Sequence, residues 1–193
     1  MERMPIVLYL GRDIKEYKAK SEEIIKQAIS EGRIRCKKCM QQMAIHSHYG
    51  RGKKGTEARL TITMVWCNEC RVWHALLPDF LLANKHYSGN EVESVIIDSA
   101  TEPARRIETE ASESTVRRWI KQIGERIVQA VGILKILFGR AGHTVSEVIV
   151  EPGSCYSELE QVLEMAPNDI MCSGNKLGMA NIWLGTNSVT AFI

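Results

Sequence analysis

The sequence predicts an α+β fold in three parts: an N-terminal helix, a β-hairpin bracketed by cysteines, and a helical domain. Three observations carry this. Residues 13–31 place Ile14, Tyr17, Ser21, Ile24, Ile25, Ala28 and Ile29 at three- and four-residue steps, the period of a helix buried on one side. The stretch ARLTITMVW (58–66) alternates, with Leu60, Ile62, Met64 and Trp66 on one face and Arg59, Thr61, Thr63 and Val65 on the other. From Pro78 onward the period becomes helical. It is strongest over 112–139, where Val116, Trp119, Ile120, Ile123, Ile127, Val131, Leu134 and Phe138 form one stripe.

PIVLYL (5–10) reads as a short strand. Asp13 is suited to cap the first helix, and Gly32 stands where helices commonly stop. Residues 33–77 read as β, with QMAIHSHYG (42–50) partnering 58–66 across an exposed tip at RGKKG (51–55). Two further helices are expected at 79–87 and 88–100, the second capped by Ser88. Residues 101–112 are polar around Pro103 and read as a linker. The long helix follows, with Gly124 and Gly132 weakening it slightly. SELEQVLEMA (157–166) is a short helix, and the apolar, glycine-punctuated 175–193 shows no period.

Composition narrows the class. Hydrophobic residues make up 45% and charged residues 25% of 193, the balance of a folded globular chain and not of a disordered or fibrous one. Net charge is only +2, but Arg33–Arg59 holds eight cations (Arg33, Arg35, Lys37, Lys38, Arg51, Lys53, Lys54, Arg59) against Glu57 alone. Such a block suits either a polyanion-facing surface or a solvated loop. The N-terminus has about six apolar residues in a row, too few for a secretory signal, and no stretch is long enough for a membrane span. A cytoplasmic location is therefore expected, where paired cysteines serve metal or redox chemistry more often than a disulfide framework.

Two Cys-x-x-Cys pairs, Cys36/Cys39 in IRCKKCMQQ and Cys67/Cys70 in VWCNECRVW, bracket the hairpin, with 27 residues between Cys39 and Cys67. Each pair aims two sulfurs at one point, and the hairpin brings the pairs together as four tetrahedral ligands, the donor set of a structural Zn²⁺. A redox motif would need one such pair opening a helix, and the flanks here are strand-like. Lys37, Lys38 and Arg71 stand ready to offset the excess negative charge. Four cysteines complete the set, so His46, His48 and His74 are expected as surface or packed imidazoles. Cys155 and Cys172 are expected as small buried residues.

SESTVRRWI (112–120) opens the long helix with a serine cap and puts Arg117, Arg118 and Lys121 outward. The arrangement suits either an ordinary amphipathic helix or a DNA-recognition helix preceded by 88–100. In the second case arginines would reach guanine edges or phosphates. The linker is longer than the turn of a tight helix-turn-helix.

The order of the cysteine pairs, HSHYGR, LTITMVWCNECRVWHALLPDFLLANKHYS and STVRRW resembles a bacterial zinc-ribbon family of unknown function found with transposons and insertion sequences. The resemblance covers roughly residues 33–122. It implies zinc at Cys36, Cys39, Cys67 and Cys70, and DNA association for Arg117 and Arg118. It does not bring a transposase with it. Asp79, Asp98 and Asp169 lack the βαβ context that a two-metal carboxylate site needs, and SGNKLG (173–178) is no phosphate-binding loop.

The combined expectation is a non-enzymatic, zinc-ribbon DNA-binding protein associated with mobile elements. Its segments are 1–32, a ribbon at 33–77, a helix-turn-helix-like region at 78–140 and a C-terminal region at 141–193. Structural Zn²⁺ is the expected cofactor. Arg51, Lys53 and Lys54 on the hairpin, and Arg117, Arg118 and Lys121 on the helix, are the expected DNA contacts. No membrane and no small-molecule substrate is implied. The rival expectations are a protein-interaction module of a mobile-element or phage assembly, and the DNA-binding part of a split transposase.

Overall fold

A computed structural model describes residues 5–52, 59–83, 86–101, 107–142, 155–166 and 172–186. Helices and a four-stranded mixed sheet make it an α+β fold. After the short strand β1 (Ile6–Leu8) comes helix α1 (Ile14–Ser30). Asp13 caps it as expected, its carboxylate accepting the Glu16 N–H at 2.8 Å. The turn before it is tight. Gly11 has φ +121°, and a Cβ there would press on the Tyr17 backbone.

Strands β2 (Ala44–Gly52), β3 (Arg59–Cys67) and β4 (Val72–Pro78) form an antiparallel meander. β1 adds parallel to β4, pairing Ile6 with Leu76, so the sheet order is β1-β4-β3-β2. β2 is the edge, and its residues are almost all exposed. A bulge at His46 breaks its register between Ile45 and Ser47. There the imidazole meets Trp73 edge-on, ring centroids 4.1 Å apart. β3 is central, so both its faces are covered: Thr63 and Val65 are buried along with Leu60, Ile62 and Met64. α1 turns Tyr17, Ile25 and Ala28 into the same core, and the Tyr17 hydroxyl donates to the Thr61 carbonyl at 2.8 Å.

The second core is helical. It joins α2 (Gly89–Thr101), α3 (Glu113–Arg140), α4 (Cys155–Glu164) and α5 (Lys176–Thr186). Ser88 and Ser112 act as the expected caps, accepting the Glu91 and Thr115 N–H groups at 3.2 and 3.4 Å. The stripe of α3 is buried as read, with Ala130 added, but Ile120 lies outside it at 37% exposure. The stretch 79–87 is not the expected helix among its described residues. Leu81 pairs with Ser88 in an isolated bridge, and the Gly89 N–H bonds to the Phe80 carbonyl at 2.8 Å. The chain must reverse from a strand into α2 there, and backbone pairing across the reversal competes with a helix.

Helix α5 had no visible period because it is buried on several sides: Leu177, Ala180, Asn181, Ile182 and Leu184 are all inside. It packs on β1 as well as on α2, α3 and α4, and so joins the two cores. Its first turn is satisfied by buried groups. The Glu93 carboxylate accepts the Lys176 and Leu177 N–H groups at 3.1 Å each and the Tyr156 hydroxyl at 2.6 Å. The Asn175 side chain accepts the Gly178 N–H at 2.6 Å. Asp79, fully buried, accepts the Ser173 N–H at 2.5 Å, and burial pushes its carboxyl pKa up. A Cβ at Gly178 would overlap the Asp79 carbonyl oxygen, so glycine is required for α5 to come this close.

Glu93→Ala would strip two N–H groups and a phenol of their buried acceptor. It should lower unfolding free energy by about 2–3 kcal/mol, read from urea denaturation, because bonds to charged groups are worth about that much.

Candidate metal centre

Both cysteine pairs lie in tight turns at one end of the sheet. In the first, Arg35 bridges Gln42, and the Cys36 carbonyl accepts the Met40 N–H at 2.9 Å. In the second, Cys67 ends β3 and pairs with Val72, which opens β4. Each turn closes one residue after its second cysteine in the left-handed region, at Met40 (φ 60°) and Arg71 (φ 51°). That repeated conformation is costly for side chains with a Cβ. It turns the chain back so that both sulfurs of a pair point the same way.

The result is one cluster. The Sγ atoms of Cys36, Cys39, Cys67 and Cys70 lie within 4.8 Å of one another, and Cys39 and Cys67 approach to 3.5 Å. A tetrathiolate with metal–sulfur bonds of about 2.3 Å has edges of about 3.8 Å, so the four sulfurs fit a metal ion with little adjustment. Cys36 and Cys67 form the buried wall, while Cys39 and Cys70 are half-exposed. The Lys38 N–H points to the Cys36 sulfur at 3.4 Å and the Cys70 N–H to the Cys67 sulfur at 3.5 Å.

Electrostatics agree. Burial pushes the Cys36 thiol up, but N–H donors from Lys38 and Cys39, the His74 imidazole and the Cys67 thiol outweigh it and bring the pKa to about 6. Cys70 is pushed up to about 12, by its hydrogen bond to Cys39 first, then by burial and by Cys36. Burial raises Cys67 as well. One thiolate makes the next more costly, so four can ionise together only around a cation.

The histidines divide. His46 packs on Trp73, His48 is exposed, and His74 is buried with Nε2 3.7 Å from the Cys36 sulfur. His74 was legible only as a polar residue inside an apolar strand. Cys155 and Cys172, expected to be buried, are half-exposed.

Much of the basic block is engaged within the chain. Arg33 pairs with Glu31 at 2.6 Å, and Arg35 donates to the Gly32 and Met40 carbonyls. Lys37, half-buried between the first two cysteines, donates to the Gly185 carbonyl near the end of α5. Arg51 is half-buried too, its guanidinium donating to the Leu82 carbonyl at 2.7 Å. It clamps the hairpin to the connection after β4. Lys53 and Lys54 lie outside the described residues. Lys38, Arg59 and Arg71 are exposed.

On α3 the fold brings Arg117, Arg118 and Lys121 onto the exposed side of the first turns, above buried Val116 and Trp119. Arg117 is paired with Glu113 at 2.5 Å. α2 and α3 pack together, but residues 102–112 separate them, so they do not form the tight helix-turn-helix. Among the described residues no helix is long and apolar enough to cross a membrane.

Fold and site thus define a mixed sheet that ends in a four-cysteine centre able to hold a metal ion, fused to a helical core. Residues 36–119 match the family model DUF6431, a domain of unknown function. The match begins at the first cysteine of the centre and ends at Trp119 on α3. No curated protein and no solved structure matches the chain.

Elemental analysis of the purified protein should find one ion per chain, and Cys39→Ser combined with Cys70→Ser should lose it. Thiol titration of the native protein should protect these four cysteines until a chelator or denaturant is added. Four freely reactive thiols in the native protein would contradict the centre.

Proposed function

We propose that the four cysteines hold a structural zinc ion and that the protein is a non-enzymatic DNA-binding protein of a mobile-element system. Thiolate donors in a tetrahedral array favour zinc among the common divalent ions. Four protein ligands leave no open coordination position, so the ion would organise the end of the sheet and not activate water. The observation that carries the DNA reading is the exposed basic start of α3. Arg118 and Lys121 project from a rigid helix whose opposite side is locked in the core, and they lie at the N-terminal turns that commonly enter a groove. Arg117 would have to exchange Glu113 for a phosphate. The hairpin contribution is narrower than its composition implies, because Arg51 already has an intramolecular partner. The mobile-element setting rests on the resemblance of the ribbon and STVRRW sequences.

The alternative is a protein-interaction module, and a specific observation favours it. Val128 and Ile136, one turn either side of Gly132 on α3, are 59% and 57% exposed. An apolar face of that kind suits another protein better than a phosphate backbone.

A mobility-shift titration with duplex DNA separates the two. Binding should weaken steeply between low and physiological salt. The double variant Arg118→Ala, Lys121→Ala should flatten the dependence of log K on log salt by about two, about one per lost phosphate contact. No shift at low salt, with a zinc-loaded sample, would discard the DNA reading.

A further inference from the structure

We infer that His74 donates its Nε2–H to the sulfur of Cys36 and positions that ligand at the buried wall of the metal centre. This rests on the reading that the four cysteines hold a metal ion. His74 sits mid-way along β4 with 1% of its surface exposed, between Trp73 and Ala75 and beside Leu76 and Leu77. An imidazole in such a strand is costly unless its nitrogens are bonded. Its Nε2 stands 3.7 Å from the Cys36 sulfur, a distance suited to an N–H···S bond. The register accounts for the placement. His74 pairs with Val65, and alternation puts Val65 on the same face of β3 as Cys67, towards the cluster.

His74 is not itself one of the clustered ligands. The group of mutually close donor atoms comprises the four sulfurs alone. A metal-bound thiolate can only accept, so the bond requires the proton on Nε2 and fixes the tautomer. Cys39 and Cys70 are half-exposed and can take hydrogen bonds from water, but Cys36 is fully buried and depends on protein donors. These are the Lys38 and Cys39 N–H groups and the His74 imidazole. Four thiolates around a divalent ion carry a net −2, and a donor at a sulfur that water does not reach draws charge from the crowded set. A partner of this kind also holds the ligand's direction, so the ion is met by a sulfur already in place.

The test compares the native protein with His74→Phe, which keeps bulk, and His74→Gln, which keeps an N–H donor. Zn²⁺ affinity is measured by competition with a chromogenic chelator, and the Co²⁺-loaded proteins give the sulfur-to-metal charge-transfer band. Far-ultraviolet circular dichroism in saturating Zn²⁺ reports whether each variant is folded. His74→Phe should bind about 10–100-fold more weakly, the usual effect of removing such a partner. Its charge-transfer band should move to lower energy, and His74→Gln should recover most of both. Two outcomes would overturn the inference alone: variants that bind and absorb like the native protein, or equal losses in both variants with the band unmoved. A native protein that binds neither ion would remove the metal reading, and the inference with it.

Discussion

Four sulfur atoms held within 4.8 Å of one another are the constraint on which this structure turns. They lie where β3 and β4 meet and where the chain passes from α1 into β2. An isolated two-stranded hairpin is marginal in water, and here the meander gains β1 at its side and α1 against its face. A metal ion held by the four sulfurs would tie the open end of the meander to a common centre and add to its core. The left-handed backbone at Met40 and Arg71 fits this picture. Neither is glycine, so the strain is borne because closing both turns on the same point compensates for it.

The second constraint is α5, which is held at both ends by groups far away in sequence. Glu93 and Asn175 satisfy its first turn, and Lys37 reaches Gly185 near its last. Lys37 stands between two of the clustered cysteines. The helix therefore connects the four-cysteine cluster to the helical core directly, and not only through the sheet. Asp79 adds to the same junction, at the point where β4 gives way to α2. At this junction Glu93 and Asn175 are hydrogen-bonded, whereas of the Asp79 carboxyl only Oδ2 accepts a bond and the buried Oδ1 has none among the described residues.

Cation density alone would have assigned the hairpin as the polyanion surface. Hydrogen bonding redistributes that assignment. Arg33, Arg35, Lys37 and Arg51 hold the chain to itself, and among the described residues Lys38 and Arg59 are what this block leaves outward. The first turns of α3 are a well-formed basic surface, because a long helix packed along its length presents its side chains from a rigid base.

Local signals in the sequence determined the elements. Asp13, Ser88 and Ser112 cap helices where they were read, and the α3 stripe reflects the period that any helix with one dry face must show. The cysteine spacing was equally legible, since a Cys-x-x-Cys turn is a local geometry and a hairpin brings two of them together. What only the tertiary structure decided is non-local. Residues 79–87 read as helix, but none of those described is helical, and Leu81 pairs with Ser88 instead. α5 was illegible because burial on several sides erases the period. The roles of Lys37, Arg51 and His74 depend on partners 148, 31 and 38 positions away. A sequence records which side chains can donate a hydrogen bond, and the packed chain decides which acceptor is within reach.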